Sequence, residues 1–375
     1  MLRTPKDWEI RNKRVLLRID INVENFNKSN LRLRSIKPTI DFLFHNKAKQ
    51  IILISHWGRP KGPESKYSLK NSVPVLEKVL GCRITFCNSL DHLPSEKIIL
   101  LENIRFWEGE EKNDPQFAKK LASLGDIYIN EAFSVSHRQN ASVSRITQFL
   151  PSYCGFRFYE EINQIEKFKK SSKKPILIIL GGAKIADKLP LINKFIKQAD
   201  HLIIGGALAN TLLYFLGFET GKSLVDKKTV SQLKNFNFSK IILPFDFFVL
   251  DKSQKKQHRF VFEIKKTDNI LDIGDYSMEY FGNLIKKSKT IFWNGPMGYI
   301  EAKKFQRGTK KLVNYLDKSQ AQILIGGGET LNFTKPLEQK KNIFISTGGG
   351  ALLEYLVSGK RKCEFSNQRN IKNKG

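Results

Sequence analysis

The segments Trp293-Asn294-Gly295-Pro296-Met297-Gly298-Tyr299-Ile300-Glu301, Ile325-Gly326-Gly327-Gly328-Glu329-Thr330 and Ser346-Thr347-Gly348-Gly349-Gly350-Ala351 are three glycine-rich turns set close together in the chain. The last two each follow a short apolar run. A strand that ends in bare backbone and then opens a helix leaves N–H groups free to hold phosphate oxygens. One such turn is satisfied by tight-turn geometry alone. An ordered set of them points to polyphosphate chemistry on a parallel sheet.

Working outward, the same rhythm fills the chain. Arg14 to Ile19, Gln50 to Ile54, Lys97 to Leu101 and Asp126 to Asn130 read as strands, with helical patterns at Ile36 to Lys47 and Asp114 to Leu124 between them. It resumes at Pro175 to Leu180, His201 to Ile204, Lys240 to Leu243, Thr290 to Trp293, Gln322 to Ile325 and Asn342 to Ile345. Strands that alternate with helices predict an α/β fold of two Rossmann-like domains, each a parallel sheet with helices on both faces. A length of 375 residues also exceeds what one hydrophobic core usually holds. The stretch from Tyr159 to Lys174 runs from Glu160, Glu161 and Glu166 to Lys167, Lys169, Lys170, Lys173 and Lys174, an order that suits a helix dipole. It is the expected connecting helix or hinge. The expected boundaries are 1–158, 159–174, 175–356, and a basic tail over 357–375.

Ligands of open α/β sheets gather beyond the carboxyl ends of the strands. In the second half this rim carries Gly181-Gly182-Ala183-Lys184, Gly205-Gly206, Gly326 to Gly328 and Gly348 to Gly350. In the first half it carries Asp20 and Asn22, then His56 and Arg59, then Arg105, then His137 and Arg138. Arginine grips carboxylate and phosphate with a planar fork. The two rims read as a nucleotide site and a site for a small anionic substrate.

Composition narrows the class. Lys+Arg exceed Asp+Glu by 64 to 36, a formal charge of +28. The charge is scattered over helix-like stretches with no aromatic-interleaved basic block, which argues for solvated faces and against nucleic acid. Cys82, Cys87, Cys154 and Cys363 form no CxxC pair, so neither a zinc site nor a disulfide framework is expected. The N-terminus lacks an apolar signal core, and no uncharged apolar run is long enough to span a bilayer. The expectation is a cytoplasmic enzyme, with no membrane partner and no apolar stripe that demands an oligomer, hence a monomer.

These motifs together resemble the phosphoglycerate kinase family. The resemblance runs from about Arg14 to Tyr355 and rests on Arg18-Ile19-Asp20-Ile21-Asn22-Val23, Ser55-His56-Trp57-Gly58-Arg59-Pro60, Leu101-Glu102-Asn103-Ile104-Arg105-Phe106, Glu131 to Arg138, Gly181 to Lys184 with Lys188, and the glycine turns already quoted. It implies phosphoryl transfer between 1,3-bisphosphoglycerate and ADP, giving 3-phosphoglycerate and ATP, with Mg²⁺ carried on the nucleotide. By resemblance, Asp20, Asn22, Arg32, His56, Arg59, Arg105, His137 and Arg138 bind the phosphoglycerate. Lys184, Lys188, Gly206, Asn294, Glu301, Gly327, Gly328, Glu329 and Thr330 serve the nucleotide. Glu329 is the magnesium-side residue, and Arg32, Lys184 and Gly349 act on the transferring group.

The chain departs from the family pattern at four places. Glu329 stands where the family normally has Asp. Glu131-Ala132-Phe133-Ser134-Val135-Ser136 replaces a loop that usually begins with Asp and carries Gly-Thr-Ala. The lead from Glu24 to Leu31 is unusual, so Arg32, counted back from Pro38-Thr39-Ile40, competes with Arg34. The tail after Gly359 is basic. A basic nucleic-acid-binding relative and a catalytically impaired nucleotide binder are the competing functional classes. The favoured reading is direct in-line transfer with hinge closure around 159–189, because an acyl-phosphate leaving group needs no strong general base.

Overall fold

A computed structural model describes residues 3–23, 26–183, 188–234 and 237–359. Lys184 and the tail from 360 onward lie outside the described residues. Contacts divide the chain into two compact units, Met1–Asn163 with Gly350–Gly375, and Gln164–Gly349. The first division falls inside the helix Phe156–Ser171. The second unit therefore ends at Gly349 rather than at 356, and the helix Gly350–Ser358 groups with the first unit.

The first unit holds strands β1 (Arg14–Arg18), β2 (Gln50–Ile54), β3 (Thr85–Cys87), β4 (Ile98–Leu101), β5 (Ile127–Asn130) and β6 (Ser152–Cys154). They form one sheet in the order β3-β4-β2-β1-β5-β6, every pair parallel. The short outer strands β3 and β6 escape the sequence reading, since each has only one or two apolar residues. Side chains alternate across a strand, and here both faces are buried. Val15, Leu17, Ile51, Leu53, Ile98, Leu100, Ile127 and Ile129 belong to one core. The helices Lys37–His45 and Val73–Leu80 cover it through Ile40, Leu43, Leu76 and Leu80. Leu16, Ile52, Ile54, Ile99, Leu101 and Tyr128 belong to a second core on the other face, covered by Leu121 and Ala122 of helix Pro115–Ser123. That helix starts where the sequence says it should. The Asp114 side chain accepts from Phe117 N at 2.6 Å, and Pro115 occupies the first turn, where its missing N–H costs nothing.

Among the described residues the second unit holds β7 (Ile176–Leu180), β8 (His201–Ile204), β9 (Ile241–Ile242), β10 (Asp246–Leu250), β11 (Lys256–Phe260), β12 (Asn269–Ile273), β13 (Thr290–Asn294), β14 (Gln322–Gly326) and β15 (Ile343–Ile345). Six of them form a second parallel sheet, β15-β14-β13-β7-β8-β9. Two parallel sheets of six strands with helices make this chain α/β, as the alternating pattern predicts. The remaining three strands form an antiparallel sheet, β11-β10-β12, which the sequence reading does not anticipate. Strand β11 reads Lys-Gln-His-Arg-Phe, too polar to announce a strand. Asp251 nonetheless sets the hairpin before it, accepting from Ser253 N at 2.8 Å and Lys255 N at 2.9 Å.

Candidate active site

In the first unit the carboxyl ends of β1, β2, β4 and β5 share one rim because the strands are parallel. Asp20 follows β1 and is 6 % exposed. It accepts from Asn22 N at 3.0 Å and from the Ser134 hydroxyl, and Arg32 Nε lies 3.1 Å from its Oδ2. Arg32 also donates from Nη1 to Asn22 O at 2.6 Å. It is presented by the short helix Leu31–Arg34, which Asn30 caps by accepting from Arg32 N at 2.9 Å. Arg34, on the same turn, is exposed and donates to Ser29 O at 3.2 Å. Of the two competing arginines, Arg32 is the one that joins Asp20 and Asn22. Asn22 in turn accepts from Gly58 N at 2.9 Å, which ties the β1 loop to the β2 loop.

His56 is 3 % exposed, and its Nδ1 meets Arg18 Nη2 at 3.0 Å. Burial, then the charges of Arg18, Arg105, Arg138 and Arg32, hold its pKa well below the ordinary histidine value, so the ring is neutral. Arg105 is buried. It donates to Gly58 O, and its Nε is 3.2 Å from Glu111. Burial and the neighbouring Arg138 and Arg18 lower its pKa to about 10, which leaves it charged near neutrality. Arg138 is half-buried and lowered by burial first and by Arg59 next, while Arg59 is exposed. His137 is half-buried, with Nε2 3.9 Å from where a Cβ on Gly350 would stand, at the start of helix Gly350–Ser358. Burial lowers Arg105 and Arg138 first, and the neighbouring arginines add to the lowering against Glu111. An anion entering here relieves repulsion as well as gaining hydrogen bonds.

Arg18, Ser142 and Glu110 are site residues that the sequence reading misses. Arg18 is 2 % exposed beneath the rim and contacts His56 directly. It stands in the quoted Arg18-to-Val23 motif, but its strand position reads as core, so only the fold reveals its reach.

In the second unit, three strand-end turns are stitched together through bare backbone. Gly181 N donates to Asn294 O at 2.9 Å, Gly182 N to Pro296 O at 3.0 Å and Gly206 N to Met297 O at 3.1 Å. A Cβ on Gly181 would lie 2.0 Å from Pro296 O. Gly206 has φ +60, and a Cβ there would lie 2.8 Å from Gly182 N. Only glycine fits at either position. Gly206 and Ala207 open the helix Gly206–Phe215 and line a cavity of about 530 Å³. Its walls include Phe247, Leu250, Ile270 and Met297, with Asn210, Lys222, Asp272, Glu301 and Glu329 among its polar groups. Apolar walls with a few polar groups beside a helix N-terminus suit a flat heterocycle carrying phosphates.

The other expected nucleotide residues fall as follows. Thr330 is fully buried, with Oγ1 accepting from Gly295 N at 3.0 Å, and a Cβ on Gly327 would stand 2.8 Å from that oxygen. Asn294 ends β13 and is 4 % exposed. Gly328, Glu329 and Glu301 are exposed, and the two glutamates line the cavity. Lys188 is buried, with its ammonium on the carbonyls of Gly181 and of Asn294, the latter at 3.2 Å. Gly349 is half-buried with φ +51, after Gly348 N donates to Ser346 Oγ at 3.1 Å. Asp272 lines the same cavity with no expected role. It accepts from Gly308 N and Ile273 N, both at 3.0 Å, yet burial outweighs these bonds and pushes its pKa up to about 7.

Among the described residues no group of three or more His, Cys, Asp and Glu gathers to hold a metal by itself. No helix among them is long and apolar enough to cross a membrane. Cys82, Cys87 and Cys154 form no disulfide among the described residues.

Comparison with known proteins fits this geometry. The family model of phosphoglycerate kinase matches residues 6–360. Phosphoglycerate kinase of Coprothermobacter proteolyticus is 40% identical over 95% of this chain and 96% of its own length. That of Wolinella succinogenes is 41% identical over 95% and 94%. The crystal structure of phosphoglycerate kinase from Pyrococcus horikoshii superposes with a TM-score of 0.82 at 26% identity, covering 99% of this chain and 98% of that one. The structure from Coxiella burnetii gives 0.76 at 30% identity, covering 97% and 96%. Motif order, fold and similarity across nearly the whole length agree, and this chain belongs to the phosphoglycerate kinase family, phosphotransferases whose acceptor is a carboxyl group.

Proposed function

We propose that the chain catalyses reversible Mg-dependent phosphoryl transfer between 1,3-bisphosphoglycerate and ADP, by direct in-line transfer, as a monomer in the cytoplasm. The observation that carries this reading is the gathering of Asp20, Asn22, Arg32, neutral His56 and Arg105 on one rim, where guanidinium groups and a hydrogen-bonding ring converge as an anion site requires. Arg59, His137 and Arg138 complete that binding set. Neutral His56 contributes a hydrogen bond without charge, and the arginines grip the carboxylate and phosphate.

Gly206 and the start of helix Gly206–Phe215, which line the cavity of the second unit, meet the phosphates together with Gly327 and Gly328. Asn294, Glu301 and Thr330 position the nucleoside and phosphate chain. Glu329 is an exposed carboxylate on the cavity wall. A single carboxylate suits Mg²⁺, which keeps most of its shell from water and substrate phosphates. Glu329 would hold the ion there, and the ion would neutralise charge on the phosphates. Lys188 serves the nucleotide by fixing the Gly181 and Asn294 turns. Lys184, with Arg32 and the backbone at Gly349, steadies the transferring group. The reading requires hinge closure around 159–189, which brings the substrates together and excludes water from the acyl phosphate.

A coupled assay with 3-phosphoglycerate and Mg-ATP tests the proposal. The wild type is expected to turn over with strict dependence on Mg²⁺. Glu329→Asp shortens the side chain by about 1.5 Å and is expected to stay active, with the Mg-ATP KM changed only a few-fold. Absence of Mg-dependent turnover in the folded wild type would sink the reading.

A further inference from the structure

A buried chain of four side chains runs behind the arginine rim. Glu110 Oε1 accepts from Ser142 Oγ at 2.7 Å, Ser142 Oγ accepts from Arg18 Nε at 3.1 Å, and Arg18 Nη2 meets His56 Nδ1 at 3.0 Å. Glu110 and Arg18 are each 2 % exposed, Ser142 is fully buried and His56 is 3 % exposed. The four come from four different rim segments, so nothing in sequence distance brings them together.

Hydrogen-bond chemistry fixes the direction of the links that Arg18 makes. A guanidinium has five N–H donors and no acceptor, so the imidazole nitrogen facing it must present a lone pair. Arg18 cannot swing away, because Nη1 donates to Ile19 O at 2.6 Å while Nε is held by Ser142. The Ser142 hydroxyl receives Arg18 Nε–H, so its own proton goes to Glu110. Glu110 also accepts from Ser142 N at 2.8 Å through its other oxygen, which makes both oxygens acceptors and seats Ser142 firmly.

We propose that Arg18 is a positioning residue, held from behind by Ser142 and Glu110, that fixes His56 with its proton on Nε2 and so makes the ring a directed neutral donor toward an anionic substrate oxygen. A free neutral histidine divides its proton between the two nitrogens. Arg18 removes that choice, and it also removes the charged form, since a protonated ring would turn an N–H toward a guanidinium. The charged groups that face the ring, Arg18, Arg105, Arg138 and Arg32, all oppose its protonation. The substrate side of the inference rests on the proposed phosphoglycerate site; the tautomer itself does not.

The test is long-range ¹H–¹⁵N spectroscopy of the full chain labelled at histidine, with the His56 signals assigned by their loss in His56→Gln. In the ligand-free wild type we expect an unprotonated Nδ1 and a protonated Nε2, unchanged from pH 8 to below pH 6. Arg18→Met, shown to be folded by circular dichroism, is expected to mix the tautomers and raise the ring's pKa toward the ordinary histidine value of about 6.5. It is also expected to raise the KM for 3-phosphoglycerate roughly tenfold or more, the effect of losing an aligned bond to a charged group, with the Mg-ATP KM unchanged. Ser142→Ala should move the same signals in the same direction by less, and it stands in if Arg18→Met fails to fold. A wild-type ring protonated on Nδ1 overturns the proposal. So does a folded Arg18→Met with the wild-type tautomer and KM. If the tautomer is as expected but 3-phosphoglycerate leaves the His56 signals unmoved, the proposed substrate site is wrong while the positioning role stands.

Discussion

Arg32→Ala is expected to lower turnover by roughly a hundredfold or more, while Arg34→Ala, two residues away on the same helical turn, stays within about twofold of the wild type. The contrast follows from where the two guanidinium groups lie. Arg32 is pinned between Asp20 Oδ2 and Asn22 O, inside the cluster that would receive the anion. Arg34 is exposed and spends its Nε on Ser29 O. Losing Arg32 removes positive charge aimed at the transferring group and also strands Asp20, whose carboxylate would then repel the incoming substrate. Both effects act on bound substrate, so kcat/KM should fall further than kcat. Steady-state kinetics on the two purified, folded variants decide it. Retention of most activity by Arg32→Ala, or a comparable loss in Arg34→Ala, would remove Arg32 from the proposed machinery.

That choice between two arginines marks how far the sequence can be read. The two parallel sheets follow from apolar runs that end in glycine or in charged loops, because a strand buried on both faces must be apolar throughout. The rims follow from the fold, since parallel strands present all their carboxyl ends together. What the residue string does not carry is the aim of a side chain. The Asn30 cap orients Arg32, and nothing in the spacing says that this cap, rather than Ser29, begins the turn. Lys188 is expected by resemblance to serve the nucleotide, and its ammonium sits on two strand-end carbonyls. Arg18 reads as a strand residue, and its partners Ser142 and Glu110 lie far along the chain. The antiparallel sheet hides because β11 is nearly all polar. Buried polar networks are long-range features, and one sequence holds no record of which distant groups satisfy one another.

Gly155→Ala is expected to destabilise the first unit by about 3 kcal/mol, near the upper end of overpacking costs, and to lower its Tm by roughly 6–12 °C. Gly155 does not need an unusual backbone; the reason it must be glycine is Glu131. A Cβ at 155 would lie 1.3 Å from Glu131 Oε2 and 3.2 Å from Glu131 Cα. Glu131, 4 % exposed, fills the space that this glycine leaves and completes the start of helix Phe156–Ser171. Its Oε1 accepts from Arg157 N at 2.9 Å, beside Thr39 Oγ1, which accepts from Phe156 N at 3.1 Å. Two helix-start N–H groups are thus satisfied by side chains from other elements. The opposite oxygen, Oε2, has no hydrogen-bond partner among the described residues. Burial outweighs the hydrogen bonds from Arg157 N and the Thr39 hydroxyl and the nearby Arg157 charge, and pushes the Glu131 pKa up to about 8, so the group is largely neutral at pH 7. A folded-state pKa above the unfolded value means that the proton stabilises the fold. That contribution is present in full below about pH 4.5 and is lost as the pH rises through about 8. Glu131→Gln, a neutral residue of the same shape, should therefore match the wild type near pH 5 and exceed its Tm increasingly toward pH 8. The double variant Glu131→Ala/Gly155→Ala should recover much of the stability that Gly155→Ala loses, because the collision is with the side chain that the first change removes. Thermal melts of five proteins, the wild type, Gly155→Ala, Glu131→Ala, Glu131→Gln and the double variant, at two pH values test both halves of the argument. Additive losses in the double variant would show that Gly155 is needed for a reason other than Glu131, and a pH-independent difference between Glu131→Gln and the wild type would show that the carboxyl is already ionised.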